Sequence, residues 1–204
     1  MFPGAPALGV RCPHMTLLEE IRSRTEPLHR ELEAVLDIPF QVNTPAQYTA
    51  LLAEFHALYG PWEAALSQYA DQFAGLGIQL PARNRVPNLE KDLRQVGGEA
   101  LLQSASPSAA QLNSFPEALG FLYVLEGSTL GGQVLVRLFR ERLGLPSEAL
   151  HFFNSHGPQV GKMWKEFCAG LQTFEATASA EENSAVVAGA RMGFGVITDH
   201  FRNR

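Results

Sequence analysis

The sequence predicts an all-α protein built as one helical domain. Apolar residues recur every three or four residues along most of the chain, helix-start signals precede these stretches, and alternating strand patterns are essentially absent. The chain of 204 residues shows no internal repeat and no dividing linker. We expect a flexible N-terminal tail over residues 1–15 and a domain over residues 16–204, with about six to eight helices.

The composition is that of an ordinary soluble globular protein, with 46% hydrophobic residues, 18% charged residues and a formal net charge of -5. This charge gives little support to nucleic-acid binding. The only cysteines, Cys12 and Cys168, are too few for a disulfide framework. No apolar run reaches about 18 residues, and the N-terminus lacks a secretory pattern. We therefore expect a cytoplasmic protein without a membrane span.

The first half of the chain contains three predicted helical stretches. The Thr-Leu-Leu-Glu segment at residues 16–19 fits a capping box, so the first helix begins there, and Pro39 stops it. A second helix begins with Pro45 at its first position. Glycines and prolines over 71–88 predict a loop, and a shorter helix follows at about 88–103.

The second half begins with a predicted loop over 104–114. A third capping box, Ser-Phe-Pro-Glu at 114–117, opens a helix whose apolar pattern passes through a group of glycines and ends at Gly144. Helices at about 158–174 and 180–202 complete the chain.

The glycine group lies in the segment FLYVLEGSTLGG, residues 121–132. A glycine inside a helix costs about 0.5–1 kcal/mol relative to alanine. The spacing of Gly127 and Gly131 is typical of two helices in close contact. A flat ligand lying against bare backbone explains the glycines equally well, with Ser128 adding a small polar group. The segment alone leaves both interpretations open.

His29 is the most notable histidine, because it lies on the apolar side of the first helix. A buried histidine bonded to a neighbour accounts for this position, and so does a metal or haem ligand. Glu33 lies one turn later and can support the imidazole directly or through water. Arg22 lies two turns earlier, where its charge suits an anionic ligand group. Solvated charges on a helix flank are the simpler interpretation of both.

Several other kinds of site are not visible in the sequence. The remaining histidines show no metal spacing, and no Glu-x-x-His motif of a carboxylate di-iron bundle occurs. There is no phosphate loop, no Gly-x-Gly-x-x-Gly after a strand and no Gly-x-Ser-x-Gly elbow. We therefore expect no nucleotide or flavin site within the chain.

Two motifs about 100 residues apart resemble those of the haem oxygenases. They are Thr25-Glu-Pro-Leu-His29 and Tyr123-Val-Leu-Glu-Gly127-Ser-Thr-Leu-Gly131-Gly132-Gln133. The second is most similar to the bacterial branch often encoded beside bacteriophytochromes. The resemblance covers about residues 16–202 and implies a helical fold with haem between the N-terminal helix and a glycine-kinked distal helix.

The resemblance assigns the proximal side of the haem to the first helix. His29 matches the axial ligand of the haem iron, and Glu33 matches the acidic residue that steadies this ligand. Arg22 and Tyr123 match residues that meet a haem propionate. Thr25, within the first motif, belongs to the same haem-contacting set.

The other haem face is assigned to the distal helix, and its predicted contact residues are Gly127, Ser128, Gly131 and Gly132. Phe194 matches an aromatic residue of the pocket wall, and Tyr59 matches a tyrosine of the distal water network. His29, Gly127, Ser128 and Gly131 are the predicted catalytic set.

The chain departs from better-known members at two places. Ser128 stands where many members have an aspartate that anchors water, so the proton relay must use other groups or ordered water. Trp164 and Cys168 fall where animal-type enzymes have a basic pair. The second propionate partner is therefore left open among Lys162, Lys165, Arg137 and Arg191, and a haem rotated in its plane is the other alternative.

The function implied by the resemblance is oxidation of haem, which is both cofactor and substrate. O2 and external electrons open the ring to biliverdin, with release of CO and ferrous iron. A ferredoxin or another reductase is implied as the electron donor, and a bacteriophytochrome as a possible receiver of biliverdin. A non-catalytic haem or tetrapyrrole carrier of the same fold is the alternative. A thiaminase-like helical enzyme without haem is a third.

Overall fold

The computed structural model describes residues 15–103 and 111–203. Residues 1–14 of the predicted tail, residues 104–110 of the predicted loop and Arg204 lie outside this part. The described residues form ten α-helices and four short 3-10 segments, without a strand, so the all-α prediction is confirmed. The α-helices are α1 (Leu17–Leu36), α2 (Ile38–Gln41), α3 (Pro45–Ser67), α4 (Ala70–Gly75), α5 (Val86–Gln95), α6 (Phe115–Leu130), α7 (Gly132–Leu143), α8 (His151–Asn154), α9 (Val160–Glu175) and α10 (Ala180–Arg202).

The predicted helix starts are largely confirmed. Thr16 caps α1 in a complete capping box, and Thr44 accepts a hydrogen bond from a backbone N–H in the first turn of α3. The predicted box at α6 is only half formed. Ser114 accepts from the backbone N–H of Glu117, but the Glu117 carboxylate accepts from the backbone N–H of Asn113 instead of that of Ser114.

The prediction of a loop over 71–88 is wrong at both of its ends, and the expected number of helices is too low. The residues Ala70–Gly75 form α4, and α5 already begins at Val86. Pro87 lies in the first turn of α5, where proline starts a helix rather than breaking one. The extra helices α2, α4 and α8 have only four to six residues each.

The core forms where α6 crosses α10, and α1 also packs on α10. The crossing depends on two glycines: a Cβ at Gly120 would lie within 3.0 Å of the Val186 backbone, and one at Gly189 would meet the Glu117 backbone equally closely. Side chains at these positions would force the two helices apart. The close packing of α6 on α10 is therefore made by glycines outside the 121–132 segment.

The helix that contains the 121–132 glycines bends and continues, as predicted. The helices α6 and α7 meet at Gly131 with an angle of 43° between them. Gly144, with φ 64°, ends α7 in the left-handed conformation. Within the described residues no single helix is long and apolar enough to cross a membrane, although the bent α6–α7 pair passes by length and composition.

Candidate functional site

A cleft of about 510 Å³ separates α1 from the bent α6–α7 pair. Its walls are mainly apolar, and they include side chains from α3, α8 and α10 as well. Its two facing walls contain six of the residues singled out in the sequence, and Tyr59 from α3 also lines it. Those six are His29, Glu33, Gly127, Ser128, Gly131 and Gly132. The fold thus brings together two motifs that lie about 100 residues apart.

His29 lies on the α1 wall, and its side chain is 55% exposed. The Nδ1 atom lies 3.6 Å from a carboxylate oxygen of Glu33, one turn later. The ring packs edge-on against Phe194, with 5.6 Å between ring centroids. Because Nδ1 faces Glu33, the Nε2 side of the ring is the side available for a ligand. The interpretation of His29 as a buried core histidine is wrong.

The glycines of the opposite wall have two different roles. A Cβ added at Gly127 or Gly131 would meet nothing within 4 Å, so these glycines leave open space on the cleft side. A Cβ added at Gly132 would lie within 3.0 Å of the Phe153 carbonyl oxygen. Gly132 therefore permits close packing of α7 on α8. Both interpretations of the glycine segment therefore apply: Gly127 and Gly131 leave open space, and Gly132 allows close helix packing.

The hydroxyl groups next to these glycines bond to their own helix. Ser128 donates to the carbonyl of Leu125 at 2.7 Å, and Thr129 donates to the carbonyl of Glu126 at the same distance. The Ser128 hydroxyl is thus already engaged as a donor. Ser128 is therefore a small side chain that leaves space in the cleft, and it has no charge with which to hold water.

Arg22, Thr25 and Tyr123 form a cluster along α1, beyond the described lining of the cleft. Tyr123 lies near Arg22 and Thr25, and the Thr25 hydroxyl donates to the carbonyl of Ile21. Burial raises the pKa of Tyr123, and the nearby Arg22 charge opposes this shift. Tyr123 is therefore a protonated hydroxyl one turn before Gly127.

The four candidates for a second propionate partner lie outside the described cleft lining. Lys162 is 3.7 Å from Glu166, and Arg191 donates to the carbonyl of Arg24. Arg137 lines a separate surface recess on α7, and Lys165 is exposed on α9.

Two arginines outside the predicted set of site residues are buried beside the cleft. Arg83 forms a buried ion pair with Glu126, the residue before Gly127, and donates to the carbonyl of Met163 at 3.2 Å. Burial raises the pKa of Glu126 even though Arg83 acts in the opposite direction. The pair ties α6 to α9. A signal existed in the sequence: a glutamate inside an otherwise apolar helix needs a buried partner.

Arg85 lines the cleft itself and is only 6% exposed. Its Nη2 atom donates to the carbonyl of Phe152 at 2.7 Å, and its guanidinium lies 4.4 Å from the centre of the Phe152 ring. Its backbone N–H donates to Glu63. The Nε and Nη1 atoms are buried and have no hydrogen-bond partner in the described part of the chain.

The side chains of the cleft suit a metal that is already bound within a macrocycle. No group of three or more His, Cys, Asp or Glu side chains that could hold a metal ion occurs among residues 15–103 and 111–203. A single accessible histidine faces a wall of bare helix backbone across a wide apolar space. Haem, which brings four equatorial nitrogen ligands and a large apolar plane, fits this arrangement.

The chain is similar to known proteins of one family. A family model described as heme oxygenase matches residues 15–203. A heme oxygenase from Xanthomonas campestris pv. campestris (strain 8004) is 33% identical over 147 residues, which cover 72% of this chain and 84% of that protein.

Solved structures show a similar fold at low sequence identity. The NO- and CO-bound heme oxygenase from Neisseria meningitidis gives a TM-score of 0.72 at 19% identity, covering 93% of this chain and 92% of that one. Heme oxygenase from Leptospira interrogans gives 0.73 at 18% identity, covering 93% and 100%. Heme oxygenase-1 from Synechocystis sp. PCC 6803 in complex with heme gives 0.72 at 17% identity, covering 92% and 91%.

Proposed function

Because this chain belongs to the haem oxygenase family, we propose that it binds haem between α1 and the α6–α7 bend and opens the ring to biliverdin, with release of CO and ferrous iron. The observation that carries the proposal is the pairing of His29 on one wall of the cleft with the open faces of Gly127 and Gly131 on the other. Haem supplies the iron and is itself the compound that is oxidised.

On the proximal side, we assign the axial iron ligand to His29. Glu33, 3.6 Å from Nδ1, holds the imidazole in the orientation that presents Nε2. Phe194 packs on the ring edge and limits its rotation. A carboxylate on this side of the ring favours the tautomer with its proton on Nδ1, which leaves Nε2 free to bind iron.

On the distal side, Gly127 and Gly131 keep bulk away from the space in which O2 binds. The Ser128 side chain is short and bonded to its own helix, so it occupies little of that space. At the edge of the ring, Arg22 and Tyr123 offer a cation and a hydroxyl to a propionate, and Thr25 lies beside Tyr123. Their position sets the rotation of the ring and hence the carbon that is attacked.

The electrons come from outside the chain, because the sequence contains no flavin or dinucleotide motif. We propose a ferredoxin or another reductase as the donor, in the cytoplasm, and O2 as the co-substrate. A bacteriophytochrome is the proposed receiver of biliverdin.

Reduction of the haem complex under air distinguishes this function from haem carriage. The purified chain is loaded with one equivalent of haem and treated with reduced ferredoxin or ascorbate in the presence of catalase, which removes free peroxide. An oxygenase loses its Soret band and gains bilin absorption, whereas a carrier keeps the Soret band. Family membership favours the first result. Failure to bind haem would instead favour an enzyme of this fold that does not use haem.

A further inference from the structure

Arg85 stands at the boundary between the cleft and a second, smaller chamber. We propose that Arg85 is a positioning residue that donates hydrogen bonds to water and small oxygen-containing or anionic ligands in the cleft, and that the chamber behind it holds the water that supplies them. The proposal rests on the proposed function, because it concerns the same cleft.

Contacts made by one side of its guanidinium fix the orientation of Arg85. Nη2 donates to the carbonyl of Phe152, and the guanidinium plane lies over the Phe152 ring and 5.5 Å from the centre of the Tyr59 ring. These contacts leave Nε and Nη1 as donors at a set position. Both atoms are buried and have no partner among the described residues.

Buried donors of this kind require a partner. An arginine guanidinium is not deprotonated in proteins, so its N–H groups remain donors that need acceptors. A buried polar group without a partner is costly, and charged groups are the most costly. Arg85 lines both the cleft and the smaller chamber, so we infer that water or a ligand held in one of these spaces is the partner.

The second chamber has a volume of about 110 Å³, which exceeds the roughly 10–15 Å³ that one water needs. It adjoins the cleft, because both spaces share Tyr59, Arg85 and Leu125 as walls. Its other polar walls include Glu63, Arg83 and Glu126, whose side chains can bind water.

The hydroxyl of Ser128, on the glycine wall of the cleft, is less suited to the same task. The Ser128 hydroxyl already donates to the carbonyl of Leu125. The position that carries an aspartate in many family members therefore offers no charge here. Arg85 reaches the cleft from the start of α5 and provides the charge and the donors from a different element.

Fluoride binding to the ferric haem complex tests the role of Arg85 without turnover. Fluoride is a small anion that accepts hydrogen bonds strongly, and its dissociation constant is measured by absorption at fixed pH and ionic strength. Arg85→Leu should weaken fluoride binding about tenfold or more, the usual effect of losing a charge-assisted hydrogen bond. Arg85→Lys should recover part of this loss, because it keeps a cationic donor.

Arg94→Gln is the matched control, since Arg94 is an exposed arginine of the same helix that pairs with Glu90. It should bind fluoride like the wild type. Equal fluoride affinity in Arg85→Leu and Arg94→Gln would overturn the proposal. If Arg85→Leu does not fold, a crystal structure of the wild type decides: ordered water on Nε or Nη1 supports the proposal, and protein partners on both atoms refute it.

These results are separable from the proposed function. A wild-type chain that binds no haem contradicts the proposed function. A chain that binds and opens haem, but whose fluoride affinity does not respond to Arg85→Leu, contradicts only the role of Arg85.

Discussion

The carbonyl oxygen of Phe153 occupies the place where a side chain at Gly132 would begin. Gly132→Ala should therefore push α7 away from α8 and cost about 1–3 kcal/mol, as overpacking usually does. In a domain of this size the loss corresponds to roughly 2–10 °C in Tm. Thermal unfolding measures it. Gly131→Ala is the control and should unfold at or above the wild-type Tm, because space is open there and alanine favours the helix.

A larger side chain at Gly131 should affect binding rather than folding. Gly131→Leu places its branched side chain in the cleft, so we expect haem affinity to fall at least tenfold while Tm changes little. Soret titration measures the affinity. Unchanged haem affinity in a folded Gly131→Leu variant would mean that this face of the helix does not contact haem.

The large features of the fold could be predicted because they depend on local signals. The helix α10 begins after a Ser179 capping box and spans the predicted residues, and Gly144 ends α7 as expected. The short helix α4 was missed, since six residues carry too little periodicity to distinguish a helix from a loop. Its stability comes from the burial of Phe73 in the core.

Glu33 should strengthen haem binding through His29. Glu33→Ala removes the carboxylate 3.6 Å from Nδ1, and we expect haem affinity to fall about tenfold, the low end of such effects, because this contact is exposed. Soret titration is again the measurement. Glu26→Ala, which removes an exposed carboxylate paired with Arg30 on the same helix, should leave the affinity unchanged. Equal losses in both variants would indicate a general charge effect.

His156 should make the fold sensitive to acid. Burial, together with the nearby Arg85 and Arg83 charges, lowers the pKa of His156 below 6.5. As the pH falls through about 6.5, the His156 imidazole becomes protonated in the unfolded chain but stays neutral in the folded chain. This contribution to stability is therefore present above pH 6.5 and is lost as the pH falls. His156→Gln should flatten the decline of Tm between about pH 7 and 5.

The control for this prediction is another histidine variant, His56→Gln, in which the acid-induced decline should persist. The Nε2 atom of His56 lies 4.0 Å from a carboxylate oxygen of Glu90, whereas His156 is influenced by the two buried arginines. If the Tm curve of His156→Gln follows that of the wild type through the same pH range, the His156 imidazole does not link acid to unfolding.

The candidate site could be predicted only in part. His29 and the glycines belong to continuous motifs, so their spacing is visible in the chain. Arg83 and Arg85 lie in a segment, ARNRVPN at 82–88, whose composition is that of an exposed loop. Their burial depends on contacts with Glu126 and Phe152, 43 and 67 residues away. Such pairings follow from tertiary packing and produce no repeating pattern in the sequence.

Identification of the product after aerobic reduction tests the central claim most directly. Wild-type protein and His29→Ala are loaded with haem, reduced under air with catalase present, and the pigments are separated by chromatography. We predict biliverdin, with CO in the gas phase, from the wild type, and intact haem with little biliverdin from His29→Ala. Recovery of intact haem from the wild type, or equal biliverdin yields from both proteins, would contradict the account.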